Sequence, residues 1–492
     1  MARAETALAL VAALVLGGCS LAPPLKVPDV PVAQSYKEEA PWTKAAPADN
    51  LPRDGWWSLY GDSDLDGLEK KLVANSPDLA AALARYREAQ AVSDQLRSGL
   101  FPSLFGAANA QRDRQSEMKP LRVLGPTSPN EYGSYTVGAE LDYEIDLWGR
   151  IRNEVASGNA TAQAVEADLE SARLSLAAQL ADTYIVLRGL DREVQLLKDT
   201  VTAYEKALDL TKARRTGGIA SGLDVARAQT QLDSARSQVE QTLAERALSE
   251  HAIAALVGES ASSFAIAPRI ADITLVQVPP GVPSTLLQRR PDVAAAERRV
   301  EAANSQIGVA RAAFFPAITL DAQAGFQSSD AGNWIKAPNT YWSIGPSLLL
   351  TLFDAGKRKA EVAQAQAALD EAGAKYRSVA LQAFQQVEDN LALLNHYRSA
   401  AEADKSAVAA AQQTLDFSLT RYREGAVSYL DVVTSQTTML DIQREALDLD
   451  TRQLRASVQL IRALGGGWSN ADMPPGGASV SCSDCGAAKA AQ

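Results

Sequence analysis

Few residues in this chain have the type and spacing that catalysis needs. Its 492 residues hold two histidines and three cysteines. Cys482 and Cys485 form a lone Cys-x-x-Cys in a Gly/Ser/Ala-rich tail, and a zinc site would need four ligands. A flexible tail or a local disulfide explains the pair better than a metal or redox site. His251 and His396 fall in helical sequence and read as surface or packing residues. No Gly-x-Ser-x-Gly, His-Glu-x-x-His or Walker loop occurs, which leaves hydrolase and nucleotide chemistry without candidate residues. The expectation is therefore a non-enzyme with no metal and no cofactor. The groups that could act are electrostatic. Glu140, Asp142, Glu144 and Asp146 alternate along one face of a period-two segment, an arrangement that favours cations if that face meets water. Ser221-Gly222-Leu223-Asp224 and Ser428-Tyr429-Leu430-Asp431 both fit Ser-x-x-Asp ahead of an apolar-periodic run, the pattern of a helix-starting capping box.

The N-terminus carries an address. Arg3 precedes an apolar run from Ala7 to Leu16, too short for a membrane-spanning helix of about 20 residues but suited to a signal-peptide core. Leu16-Gly17-Gly18-Cys19 then resembles a bacterial lipobox, in which the cysteine becomes the lipidated first residue of the mature protein. An ordinary signal peptide with a chance cysteine is the plainer alternative. Ser20, rather than Asp, follows the cysteine, which in this resemblance points to the outer membrane. Residues 1–18 thus read as a lipoprotein signal peptide, and 19–52, rich in proline, as an extended lipid-anchored arm.

The body is duplicated. Residues 77–102 and 291–316 share ten identities in 26 positions, at an offset of 214. Further on the offset is 207, and Gly218, Ser221, Leu223, Asp224 and Val225 match Gly425, Ser428, Leu430, Asp431 and Val432. Each half reads helix, strand pair, long helix, tight turn, helix, giving repeats at 53–278 and 279–468 with a flexible tail at 469–492. Residues 151–215 and 357–424 lack internal proline and could each run about 90–100 Å as helix. Leu176, Leu180, Thr183, Leu187, Leu190, Val194, Leu197, Val201, Tyr204 and Leu208 form a coiled-coil seam in the first. Segments near 103–112, 135–146, 317–327 and 342–352 alternate with period two and have the length of tilted transmembrane strands. Four strands cannot close a barrel, and an open edge in lipid is not viable, so other copies of the chain must complete it. Two copies would give eight strands with little lumen; three would give twelve.

Composition narrows the partners. There are 48 Lys+Arg against 59 Asp+Glu, a net charge of −11, and no long basic run, which argues against nucleic acid. Hydrophobic residues make up 46% but aromatics only 6%, as in long helical rods.

Several motifs together resemble the TolC-like outer membrane factors, specifically the lipoprotein branch of tripartite efflux systems. They are Gly55-Trp56-Trp57, the Phe101-Pro102 and Phe315-Pro316 junctions, Asp146-Leu147-Trp148-Gly149-Arg150, Phe353-Asp354-Ala355-Gly356-Lys357-Arg358, and the two turns ending Leu-Asp-Val. The resemblance covers about 53 to 468. It implies a homotrimer with a twelve-stranded outer-membrane β-barrel, four strands per chain, continuing into a long periplasmic α-helical coiled-coil barrel closed at its inner end. It implies a periplasmic adaptor and an inner-membrane transporter as partners, and a lipid on Cys19. It places the Gly217-Gly218 and Glu424-Gly425 turns, with Ser221, Asp224 and Ser428, as tips for the adaptor. Asp431 matches the first of two acidic positions at the periplasmic aperture, where Tyr429 would add steric closure; Thr434 stands where others carry the second acid. The function expected is a passive outer-membrane exit duct for small molecules. The alternatives are a channel for type I protein secretion and a structural periplasmic coiled-coil lipoprotein.

Overall fold

A computed structural model describes residues 20–38, 55–116, 130–271, 273–276 and 289–467. Cys19, Cys482 and Cys485 lie outside the described residues.

The first repeat runs through α1 (Ser63–Asn75), α2 (Pro77–Ser98), β1 (Ser103–Arg114), β2 (Glu131–Glu144), α3 (Arg150–Thr216) and α4 (Gly222–Leu256). The second repeat runs through α5 (Pro291–Ala312), β3 (Ala317–Ser328), β4 (Thr340–Leu349), α6 (Lys357–Arg423) and α7 (Tyr429–Ala463). The duplication is close in length: α3 and α6 have 67 residues each, α4 and α7 have 35, and α2 and α5 have 22. A 67-residue helix extends about 100 Å at 1.5 Å per residue.

Helix boundaries follow local chemistry. Pro77 and Pro291 open α2 and α5 at the position where a missing N–H costs nothing. Pro102 and Pro316 sit between helix and strand, because the residue before proline is pushed out of the helical region. Gly149 and Gly356 precede the long helices with φ of 76° and 90°, a left-handed turn that a side chain would oppose.

The four strands form one antiparallel sheet in the order β1-β2-β3-β4. The registers pair Ala108 with Val137, Val137 with Phe326, and Ala324 with Trp342. Among the described residues, both outer strands, β1 and β4, leave one edge without a strand partner.

The helices pack as two hairpins, α3 with α4 and α6 with α7, joined by α5, which packs on α3 and α6. Of the α3 seam, Leu180, Leu187, Val194, Leu197, Tyr204 and Leu208 are buried, whereas Leu176, Thr183, Leu190 and Val201 are only half-buried. Thr183 turns its hydroxyl back to the Gln179 carbonyl at 2.8 Å.

The main core lies midway along the helices. Trp56 and Tyr60, from a short 3₁₀ turn, join Leu65 and Leu72 of α1, Tyr184 and Ile185 of α3, Val387 of α6 and Val458 of α7. Beside it sits a buried charge cluster. Arg188, with its side chain 2% exposed, donates to the Tyr184 hydroxyl (2.9 Å), Asp191 (2.8 Å), the Ala267 carbonyl (2.9 Å) and Asp64 (3.0 Å). Arg246 of α4 reaches the other Asp191 oxygen at 2.6 Å. Asp62 caps α1 through the Asp64 and Leu65 N–H groups and also accepts from Tyr184 and Arg269. Burial pushes the Tyr184 phenol up to about 12, against the opposing pull of the Arg188 and Arg269 hydrogen bonds. One cluster thus fixes α1, α3, α4 and the 264–269 segment to each other.

The N-terminal arm lies along the helices. Ser20 donates to Asn153 (2.9 Å) in the first turn of α3, the Pro23 carbonyl accepts from Asn304 (2.8 Å), and Glu388 of α6 accepts the N–H groups of Lys37 (2.8 Å) and Glu38 (3.1 Å). Residue 388 is about 46 Å along α6 at helical rise, a distance that an 18-residue extended arm covers at about 3 Å per residue.

Replacing Arg188 with Met should cost about 3 kcal/mol, because it leaves buried acceptors without their cation. The check is the denaturant midpoint of the detergent-solubilised protein. An unchanged midpoint would show that the cluster is not what ties these elements together.

Candidate functional site

The sheet separates two chemistries by strand periodicity. One face carries Leu104, Ala108, Val137, Leu141, Ile318, Leu320, Phe326, Trp342, Ile344 and Leu348. Trp342 is 76% exposed, and Leu104, Ile344 and Leu348 are also exposed, so this apolar face is uncovered in the single chain. The other face carries Asn109, Gln111, Thr136, Glu140, Asp142, Thr319, Asp321, Gln323, Ser343 and Ser347. Its polar side chains bond across strands: Gln323 donates to Ser343 (3.1 Å), and Thr319 and Ser347 share a hydrogen bond of 2.6 Å.

The acidic stripe does not survive whole. Glu140 and Asp142 stand exposed on the polar face, and the register sets Asp321 directly across from Asp142. Glu144 instead accepts from Nε and Nη2 of Arg150, at 2.8 and 2.6 Å, while Nη1 of the same arginine goes to Glu154 (2.7 Å). Asp146 lies beyond the end of β2, with its side chain only 10% exposed, and accepts the Arg152 backbone N–H (2.9 Å) and guanidinium (3.2 Å). Its carboxylate therefore serves the start of α3 and is not an open acid of the strand face. Alternation of residue types gave the correct face for Glu144 but carried no sign of a partner six residues on.

The second repeat repeats this device with different spacing. Asp354 accepts from the Gly356 N–H (3.0 Å) and from Arg358 (2.5 Å), whose guanidinium holds the Asp354 carboxyl below its usual range. The same Arg358 lies over the Phe314 ring at 5.3 Å. At the first junction Trp148 stacks on Phe315, 4.7 Å between centroids, and donates its indole N–H to the Pro316 carbonyl (2.9 Å). Aromatic residues thus gather where strands meet helices.

The other end of the molecule is formed by two tips. In the first, Gly217 keeps an ordinary φ of −76° while Gly218 takes +76°; in the second, Gly425 takes +79°. Both helix starts use the expected Ser/Asp pair. Asp224 accepts the Ser221 N–H (3.0 Å) and hydroxyl (2.8 Å) and returns its own N–H to Ser221 Oγ (3.2 Å). Asp431 accepts the Ser428 N–H (3.1 Å) and hydroxyl (2.8 Å). Asp431 and Thr434 are exposed, and the Thr434 hydroxyl bonds back to the Leu430 carbonyl at 3.0 Å.

Tyr429 is placed differently from a side chain offered to an opening. It is 2% exposed and packs with Tyr204, Tyr422, Leu232 and Val432 between the two hairpins. Its ring lies 5.2 Å from that of Tyr422. Burial pushes its phenol up to about 12, with Tyr422 adding to the shift and a hydrogen bond to Thr211 opposing it. Within the chain, then, Tyr429 welds the tips.

One tip residue was not visible in sequence reasoning. Arg214, in the last turn of α3, lays its guanidinium over the Tyr422 ring at 4.8 Å and donates to the Arg423 carbonyl at 2.9 Å. It joins the first tip to the second. The only sequence signal is its place in the Arg214-Arg215 pair before Gly217, which reads as ordinary cationic capping of a helix C-terminus.

A polar face bearing acids, an uncovered apolar face and two long helical hairpins suit a membrane-inserted channel protein. The comparisons agree. The sequence profile described as "Outer membrane efflux protein" matches residues 68–259 and 282–466. The chain belongs to that family. It is 32% identical to the outer membrane protein OprJ of Pseudomonas aeruginosa over 463 residues, covering 94% of this chain and 95% of the relative. It is 32% identical over 461 residues to the toluene efflux pump outer membrane protein TtgC of Pseudomonas putida, covering 93% and 94%. The solved outer-membrane channel OprN superposes with a TM-score of 0.84 at 28% identity, covering 92% of this chain and all of that one. The Campylobacter jejuni outer membrane channel CmeC superposes with a TM-score of 0.87 at 23% identity and shares the fold. The protein is an outer-membrane efflux channel component.

Replacing Arg214 with Met should loosen the tips without unfolding the hairpins. Hydrogen exchange at the backbone amides of 424–427 should accelerate while those of 180–197 stay protected. Equal protection in both proteins would remove Arg214 as the tie between tips.

Proposed function

We propose that three copies of this chain form a passive exit duct, through which small molecules leave a periplasmic adaptor and inner-membrane transporter for the exterior. The observation that carries this reading is the sheet with one apolar face, one polar face and two edges that have no strand partner among the described residues. Adjacent strands alternate in direction, so β4 of one copy meets β1 of the next antiparallel, and three copies give a closed barrel of twelve strands. The apolar face then meets lipid and the face bearing Glu140, Asp142 and Asp321 meets the lumen, where it favours cations. Energy comes from the partners, and the chain needs no catalytic group of its own. The family description and the name of one relative, the toluene efflux pump outer membrane protein TtgC, support efflux over protein secretion.

The arm supports a lipid on Cys19. Ser20, the next residue, is held one turn into α3, close to the helix-side ends of the strands. Acyl chains attached there enter the leaflet nearest the helices, each buried methylene contributing about 0.8 kcal/mol. At the opposite end, the tips at Gly217, Gly218, Ser221, Asp224, Gly425 and Ser428 form the adaptor-contacting surface, with Ile219 and Leu223 exposed beside them. Asp431, exposed on the second tip with Thr434, lines the aperture.

The native mass of the detergent-extracted protein tests the ring. A lipidated trimer is expected; a stable monomer in mild detergent would leave the sheet edges open and overturn it. In planar bilayers, Asp431→Ala should raise the resting conductance. Unchanged conductance and selectivity would take Asp431 out of the aperture.

A further inference from the structure

The charges on the sheet are sorted by face. Within the strands, the polar face carries only acids: Asp113, Glu140, Asp142, Glu144 and Asp321. The apolar face carries three charges, Arg112, Arg114 and Glu131, all at the end of the sheet away from the helices. The register places Arg112 opposite Gly133 and Arg114 opposite Glu131, in the same row set as Leu104, Ala108, Val137 and Leu141. Both arginines therefore point the way the lipid-facing residues point.

Their height matches a boundary. From Leu104 to Arg112 and Arg114 the strand advances about 27 and 34 Å, which at a tilt near 40° is about 21 and 26 Å in depth. The apolar band of an outer-membrane barrel is about 25 Å tall. The two guanidiniums stand at its outer rim, where arginine costs little, and not at the midplane, where it costs about 2–4 kcal/mol. Tyr135 lies below them on the same face and meets Trp334, from the β3–β4 loop, edge-on at 6.0 Å. That is an aromatic belt with cations directly above it.

The arginines are held but not consumed. Glu131 contacts Arg112 at 3.2 Å and Arg114 at 3.9 Å, while the arginine side chains remain 81% and 73% exposed. One carboxylate orients two forks and leaves a net positive charge.

We propose that Arg112 and Arg114 form a binding site for the phosphate-bearing headgroup of an outer-leaflet lipid, whose acyl chains run down the apolar face beneath. The occupant follows from charge complementarity and from continuity with the lipid-facing surface: a planar guanidinium pair grips phosphate bidentately, and the acyl chains continue onto Ala108, Ala110 and Tyr135. Its outward orientation rests on the ring reading above.

The test uses the full detergent-purified protein and diphosphoryl lipid A as probe, with lipid A stripped of both phosphates and excess inorganic phosphate as controls. The native protein should prefer the phosphorylated lipid by about tenfold or more, as expected for charge-assisted hydrogen bonds. Arg112→Gln with Arg114→Gln should erase that preference. Glu131→Gln should widen it, because a competing carboxylate is removed, whereas a purely structural role for the trio would weaken binding in that variant too. If the double variant fails to assemble, the single variants should each lose part of the preference. A double variant that binds as the native protein does, or a native protein indifferent to the phosphates, would overturn the site. Displacement by inorganic phosphate would overturn the lipid assignment in favour of free phosphate. Native mass separates the two readings: a trimer without lipid preference overturns only the site, and a monomer overturns the ring and the orientation with it.

Discussion

A β-strand in lipid cannot leave its backbone N–H and C=O groups unpaired, since hydrocarbon offers nothing to replace the lost hydrogen bonds. The described residues supply four strands in one sheet, with no strand partner among them on the outer edge of β1 or of β4. The rest of the molecule is organised around that incomplete sheet. The repeat supplies two hairpins of nearly equal length, and each hairpin continues into a 67-residue helix that carries the same geometry away from the membrane. In the proposed ring, closing the sheet also closes the helices into a tunnel, because each strand pair is rigidly joined to the helices below it.

That rigid joint is built from short-range chemistry. Asp146 and Asp354 each hold an arginine from the first turn of the following long helix, and left-handed Gly149 and Gly356 set the entry angle. Trp148 on Phe315 ties the first junction to the second repeat. Midway along the helices, Arg188, Asp191 and Arg246 give the body a fixed reference that hydrophobic seams alone lack, since such seams tolerate sliding. The tips combine two requirements. Their Ser/Asp capping boxes satisfy helix ends that face water, while Tyr204, Tyr422 and Tyr429 bury an aromatic core that holds the two hairpins together.

The sequence was most legible where a residue's role is set by its near neighbours. Helix and strand spans, the glycine turns, the proline junctions, both capping boxes and the two faces of the sheet depend on periodicity or on contacts within about four residues. Offsets of 214 and 207 between matching residues made the duplication visible without any structure. Family membership was also readable, because several weak motifs occurred in a fixed order.

What only the tertiary structure decided are pairings that reach beyond a single helical turn or strand repeat. Glu144 reads as a strand-face acid until Arg150 is seen to grip it, and Tyr429 as a side chain for an aperture until it is found buried against Tyr422 and Tyr204. Arg214 over Tyr422 joins residues 208 positions apart, and Arg188 gathers Asp64 and Ala267 from either side of α3. The strand pattern showed which residues share a face, but the register placed Arg112, Arg114 and Glu131 together at the outer rim. The physical reason is common to all of these. Periodicity records which way a side chain points, whereas what it meets depends on how separate elements pack, and a single sequence does not encode that in any local pattern.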